Sequence, residues 1–101
     1  MYYIKKYEEI KTAIESIMEL PADWLQRNYM ECVDARTLLV AYMLQHHCTR
    51  REIMHATGLK KATVCNLINQ YSTRKTYDKH FLMLDNWLLA ELSKKSTRSV
   101  Y

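Results

Sequence analysis

Between Thr49 and Gln70 the chain reads T-R-R-E-I-M-H-A-T-G-L-K-K-A-T-V-C-N-L-I-N-Q. Read as two short helices, this run places Lys60, Lys61, Ala62, Thr63, Cys65, Asn66, Asn69 and Gln70 on the outward side of the second. These side chains suit the edges of base pairs. Lysine pairs with guanine or phosphate, Asn and Gln take adenine through two hydrogen bonds, and an alanine methyl touches thymine. No acid stands among them, whereas a merely solvated face more often mixes Glu with Lys. Arg50 and Arg51 open the first helix, where phosphate can also meet the helix dipole. Arg74 and Lys75 follow at the far end as further phosphate contacts. Thr63, Asn66 and Asn69 are expected mainly on bases. Lys60 and Lys61, at the N-terminal end of the second helix where base edges come closest, suit either role.

Other chemistries find less support. One glycine, Gly58, in 101 residues is too few for a P-loop or a dinucleotide fingerprint. No Ser/His/Asp order, paired carboxylates or activated thiol stands out, so no enzymatic activity, cofactor or small-molecule substrate is expected. His46, His47 and Cys48 are adjacent, but neighbours on a helix point about 100° apart, and no C-x-x-C or H-x-x-x-H pair accompanies them. No metal site is expected. Cys32, Cys48 and Cys65 are odd in number and widely spaced, and no apolar leader opens the chain. They read as reduced thiols of a cytoplasmic protein. The longest apolar run, Leu38 to Leu44, is far short of the roughly 20 residues that cross a membrane.

The net charge of +4 is unevenly placed. Residues 1–47 hold five Lys/Arg against seven Asp/Glu, residues 48–80 hold seven against two, and the remainder three against two. A basic middle suggests a surface turned to a polyanion, although acids from elsewhere in the chain could also fold over it.

The elements that must position these residues are helices. Apolar residues make up 49% and charged residues 26%, a composition that folds. A lone glycine and a lone proline leave no supply of turns for a β-sandwich. The expectation is an all-α, compact single-domain bundle of five or six helices, residues 1–92, with a polar tail over 93–101. Tyr3, Tyr7, Ile10, Ile14 and Ile17 form the buried stripe of a first helix running to about Leu20, before Pro21. The same spacing would also serve a short coiled-coil seam. Ala22 to Asn28 is a short segment with Trp24 and Leu25 buried. Asp34 is a candidate N-cap for an apolar helix, Ala35 to about His47, covered on several sides.

Thr49 with Glu52 forms a capping box for a helix from Arg50 to Thr57, and Gly58 ends it in the left-handed region. The next helix runs from Lys61 to about Tyr71, with a polar connection over Ser72 to Tyr77. Asp78 then caps a last helix carrying Phe81, Leu84, Leu88 and Leu92. Ile53, Leu59, Val64 and Leu67 flank Gly58 at offsets that let both short helices pack on a third. Together these features make residues 49–71 a helix-turn-helix. An ordinary helical hairpin would share the caps and the turn. Met54 departs from the usual pattern, which favours a small residue there.

The chain resembles the C-terminal DNA-binding domain of the bacterial replication initiator DnaA. The matching residues are Ile10, Ile14 and Leu25, then Ala35-Arg36 opening an apolar helix that contains Tyr42. Glu52-Ile53, Gly58, Thr63-Val64 and Asp78-Lys79-x-Phe81 follow in order. The resemblance spans roughly residues 4–92 and implies a Trp-repressor-like helical fold, with Gly58 at the turn and Thr63 on a base or phosphate. Lys60-Lys61-Ala62 replaces the family's Asp-His-Ser/Thr before Thr63-Val64. Arg27 alone stands near the arginines that the family sends into the minor groove, where Met30 now stands. The resemblance therefore implies DNA binding but not origin recognition.

Two functional expectations follow. The first is sequence-specific binding of double-stranded DNA, as a small transcriptional regulator or replication accessory protein. The second is a helical protein-interaction module that keeps the fold, with the tyrosine-rich first helix or the apolar last helix as docking face. One helix-turn-helix reads one half-site, which favours a homodimer. The initiator domain binds as a monomer, which favours the opposite.

Overall fold

A computed structural model describes the backbone of residues 2–100 and the side chains of residues 2–93. Most of the polar tail expected over 93–101 lies outside the described side chains. Five α-helices and one 3-10 turn follow one another, with no strand among the described residues: α1 (Tyr2–Ile17), the 3-10 turn (Trp24–Gln26), α2 (Met30–Gln45), α3 (Arg50–Thr57), α4 (Lys61–Tyr77) and α5 (Lys79–Val100). The all-α bundle expected from composition is present.

The second helix is the axis of the fold. Its residues from Asp34 to Met43 are all buried, and α1, α3 and α4 pack around it. One core joins Ile10, Ala13 and Ile14 of α1 to Trp24, Leu38, Leu39 and Met43, and then to Ile53, Val64, Phe81, Leu84 and Leu88. The stripe on α1 is the inner face of a core helix. Tyr3, Tyr7 and Ile17 at its ends are half-buried against that core.

Several boundaries differ from the sequence reading. The first helix ends at Ile17, three residues before Leu20, and Leu25 is half-buried rather than buried. Asp34 is not a cap. The second helix begins one turn earlier, at Met30, with Tyr29 extended at its N-cap and Glu31 in the first turn, where a carboxylate suits the dipole. Asp34 sits inside that helix, 2% exposed, and forms an ion pair with Arg74.

The second helix stops at Gln45 by a Schellman motif. The Cys48 N–H donates to the Met43 carbonyl (3.0 Å), the His47 N–H to the Leu44 carbonyl (3.1 Å), and His47 itself is left-handed at φ 71°. The His46-His47-Cys48 cluster is therefore a helix stop, with Cys48 buried. The fourth helix continues to Tyr77, so residues 72–77 are two further helical turns and not a connection. Asp78 ends it with an extended backbone and caps α5, its Oδ1 accepting the Phe81 N–H at 3.1 Å.

Candidate nucleic-acid interface

The turn between α3 and α4 is built from local hydrogen bonds. Thr49 Oγ1 accepts the Glu52 N–H (3.1 Å), and Glu52 Oε1 accepts the Thr49 N–H (2.9 Å), closing both halves of the capping box. At the other end the Gly58 N–H donates to the Met54 carbonyl (2.9 Å), with Gly58 at φ 74°. Thr57 adds a second tie. Its hydroxyl donates to the Ile53 carbonyl (2.7 Å) and accepts the Leu59 N–H (3.2 Å). Ile53 and Val64 are fully buried and Leu67 nearly so, which seats both helices on the core at the expected offsets. Met54 is half-buried and packs against that core.

A Cβ added at Gly58 would meet nothing within 4 Å, so the cost of a substitution there lies in the backbone. Gly58→Val is expected to lower stability by about 1–3 kcal/mol, since a β-branched residue resists positive φ. Gly58→Asn, which tolerates the left-handed region, should cost less. Thr49→Ala should cost about 0.5–2 kcal/mol through the lost cap. Thermal unfolding of the three variants checks the order. A Gly58→Val protein as stable as the parent would place the turn elsewhere.

Beyond the turn, Lys60, Lys61, Ala62, Asn66, Asn69 and Gln70 are exposed, while Thr63 and Cys65 are half-buried on the flanks of that face. Arg50 and Arg51 are exposed at the start of α3. None of Arg50, Arg51, Lys60 and Lys61 is ion-paired among the described residues. The one acid in this stretch, Glu52, is held by the capping box. The surface from Arg50 to Gln70 therefore presents cations and neutral hydrogen-bonding groups without a free carboxylate. Lys60 caps α4 with its backbone alone, and its side chain makes no cap hydrogen bond.

Arg74 and Lys75 do not belong to this surface in the way expected. Arg74 turns inward to Asp34, and Lys75 Nζ lies 3.8 Å from Asp85 Oδ2. Asp85, 3% exposed, also accepts hydrogen bonds from the hydroxyls of Tyr71 (2.7 Å) and Tyr42 (3.0 Å) at its Oδ1. Burial, with the Asp85 carboxylate beside it, pushes the Tyr71 hydroxyl up to about 12 and that of Tyr42 higher still. Burial raises Asp34 as well, against the opposing pull of Arg74.

The extra turns of α4 bring in residues not picked out from sequence. Thr73, Thr76 and Tyr77 are exposed and continue the outward row of Asn66, Asn69 and Gln70 at spacings of three and four. That spacing was present in the sequence. The Ser/Thr-rich composition of the segment concealed it by resembling a loop.

Cys32 and Cys48 are buried and Cys65 half-buried, all as free thiols. No group of three His, Cys, Asp or Glu side chains among the described residues is placed to share an ion. Among the described residues, no helix is long and apolar enough to cross a membrane. Compared with models of protein families, with curated proteins and with solved structures, the chain matches none.

Proposed function

We propose that this chain binds double-stranded DNA sequence-specifically, with α4 in the major groove and the start of α3 on the phosphate backbone. It would serve as a small transcriptional regulator or replication accessory protein, in keeping with its resemblance to the initiator's DNA-binding domain. The observation that carries this reading is the outward face of α4. It follows a glycine turn and opens with two lysines that are unpaired among the described residues, and it continues in Asn66, Asn69 and Gln70 with no carboxylate. Arg50, Arg51, Lys60 and Lys61 supply phosphate contacts, each releasing counterion on binding. Thr63, Asn66 and Asn69 supply base readout.

Selection from a random duplex pool identifies the preferred site. A palindrome would indicate a dimer and a single asymmetric box a monomer. On that site and on a random duplex, Arg50→Ala should weaken binding alike and reduce the salt slope by about one unit. Asn66→Ala should cost about 1–3 kcal/mol on the preferred site and leave random binding nearly unchanged. If neither variant differs from the parent on either duplex, α4 is not the reading head.

One observation favours the second reading, a protein-interaction module. On α5, Met83 and Trp87 are exposed one turn apart, with Trp87 48% exposed. That reading predicts no retarded band with any duplex at low salt.

A further inference from the structure

Arg74 is one helical turn beyond Gln70, on the flank of the outward row of α4, the end where the sequence pattern leads one to expect a phosphate contact. It is committed elsewhere. Its guanidinium pairs with Asp34, a carboxylate enclosed in the middle of α2, and lies 6.0 Å from the centre of the Phe81 ring. The Asp34 side chain is 3% exposed and that of Arg74 22%. Asp78 and His80 also face Asp34, one opposing and one favouring its charge, and Arg74 is its only direct ion-pair partner among the described residues. Lys75 differs. It stands 3.8 Å from its carboxylate with its side chain 48% exposed.

Moving Arg74 to a phosphate would leave a buried carboxylate with no partner. Removing one member of a buried pair costs far more than one solvated phosphate contact returns. We infer that Asp34 is a positioning residue that limits affinity: it withholds Arg74 from phosphate, so that this position adds no cation to the surface that meets DNA. Non-specific affinity comes almost wholly from phosphate contacts, whereas base contacts separate one sequence from another. A cation held back at this end lowers binding to every sequence and leaves the contribution of Asn66, Asn69 and Gln70 to discrimination intact. The inference rests on the DNA reading above.

The test measures the salt dependence of binding to a random duplex and to the preferred one for the parent, Asp34→Asn, and the double variant Asp34→Asn/Arg74→Gln. Asn keeps an acceptor for the guanidinium but removes the charge that holds it. Asp34→Asn should steepen the salt slope by about one unit on both duplexes and raise affinity for both several-fold at low salt, leaving the ratio of specific to random binding nearly unchanged. The double variant should return to the parent slope, because Arg74 contributes none to it. A merely structural role for Asp34 would lower the melting temperature and weaken both duplexes without a steeper slope, which overturns the inference. A double variant about one unit shallower than the parent also overturns it, since Arg74 would then already be on phosphate. Should Asp34→Asn fail to fold, the double variant decides by the same comparison. A parent that retards no duplex sinks the DNA reading itself, an outcome distinct from either of these.

Discussion

Asp85→Ala is expected to lower the free energy of unfolding by about 3–5 kcal/mol, in the range for breaking a buried charged contact. The carboxylate accepts from two tyrosine hydroxyls and faces the Lys75 ammonium, all on α2 and α4, from a position on α5 that is 3% exposed. Truncation leaves the Tyr71 hydroxyl without its short bond and leaves Tyr42 to the Asp85 backbone carbonyl at 3.2 Å and the neighbouring Tyr71 hydroxyl. Asp85→Asn keeps an acceptor at the same place and should cost less. Urea unfolding with an unchanged m-value is the measurement, and a loss under about 1 kcal/mol would mean that the carboxylate does not organise the hydroxyls.

The same cluster gives the protein an alkaline limit. The Tyr71 hydroxyl stands at about 12 in the folded chain against an ordinary value of 10.0, so the folded state keeps a proton that the unfolded state has lost. The stabilisation is complete below pH 10 and disappears as pH rises through about 12. Tyr42 acts in the same direction, and Tyr71→Phe should flatten the decline.

Arg36→Ala is the second large effect, expected to cost about 2–4 kcal/mol. Arg36 is 9% exposed and has no carboxylate partner among the described residues. Its Nη1 instead donates to the carbonyls of Trp24 (3.3 Å), Leu25 (2.9 Å) and Arg27 (2.6 Å). A single cation thus gathers the turn between α1 and α2. Its loss takes a donor from all three carbonyls, leaving that of Trp24 with the Arg27 N–H at 3.4 Å, and loosens Trp24, a buried indole that also donates to Glu15 at 3.0 Å. Indole fluorescence should shift to the red together with the loss of stability. An unshifted spectrum would show that packing alone seats Trp24.

What the sequence made legible was local. The capping box at Thr49 and Glu52, the glycine stop at Gly58 and the cap at Asp78 each involve partners within four residues, and each stands where its pattern places it. The core offsets around Gly58 were legible for the same reason. Asp34 was misread because an aspartate that caps a helix and one that pairs inside it look alike locally, and its partner lies 40 residues away. The ion pairs of Arg74 and Lys75 were hidden for the same reason, as the other halves of such long-range pairs. The last two turns of α4 are rich in Ser and Thr, which compete with the helix for its own hydrogen bonds. Tertiary anchors on Asp34 and Asp85 decide the matter there. The outward face from Lys60 to Gln70 needed only the helical period: Lys60, Lys61, Ala62, Asn66, Asn69 and Gln70 are exposed as read, and Thr63 and Cys65 are half-buried on its flanks.

Anchoring α4 at its far end gives the helix a gradient of local stability. Its last turns are fastened through Arg74 and Lys75 to two buried carboxylates, so their amides open only when α2 and α5 part from the core. Its first residues, Lys61 to Thr63, have the Lys60 backbone for a cap and precede the buried anchor at Val64, so they are the ones with least to hold them. Opening free energies commonly rise from such frayed ends toward the global value in the core. On the proposed reading the frayed end is the one that enters the groove. Ordering on contact is then confined to a single turn, while the rest of the helix arrives already rigid.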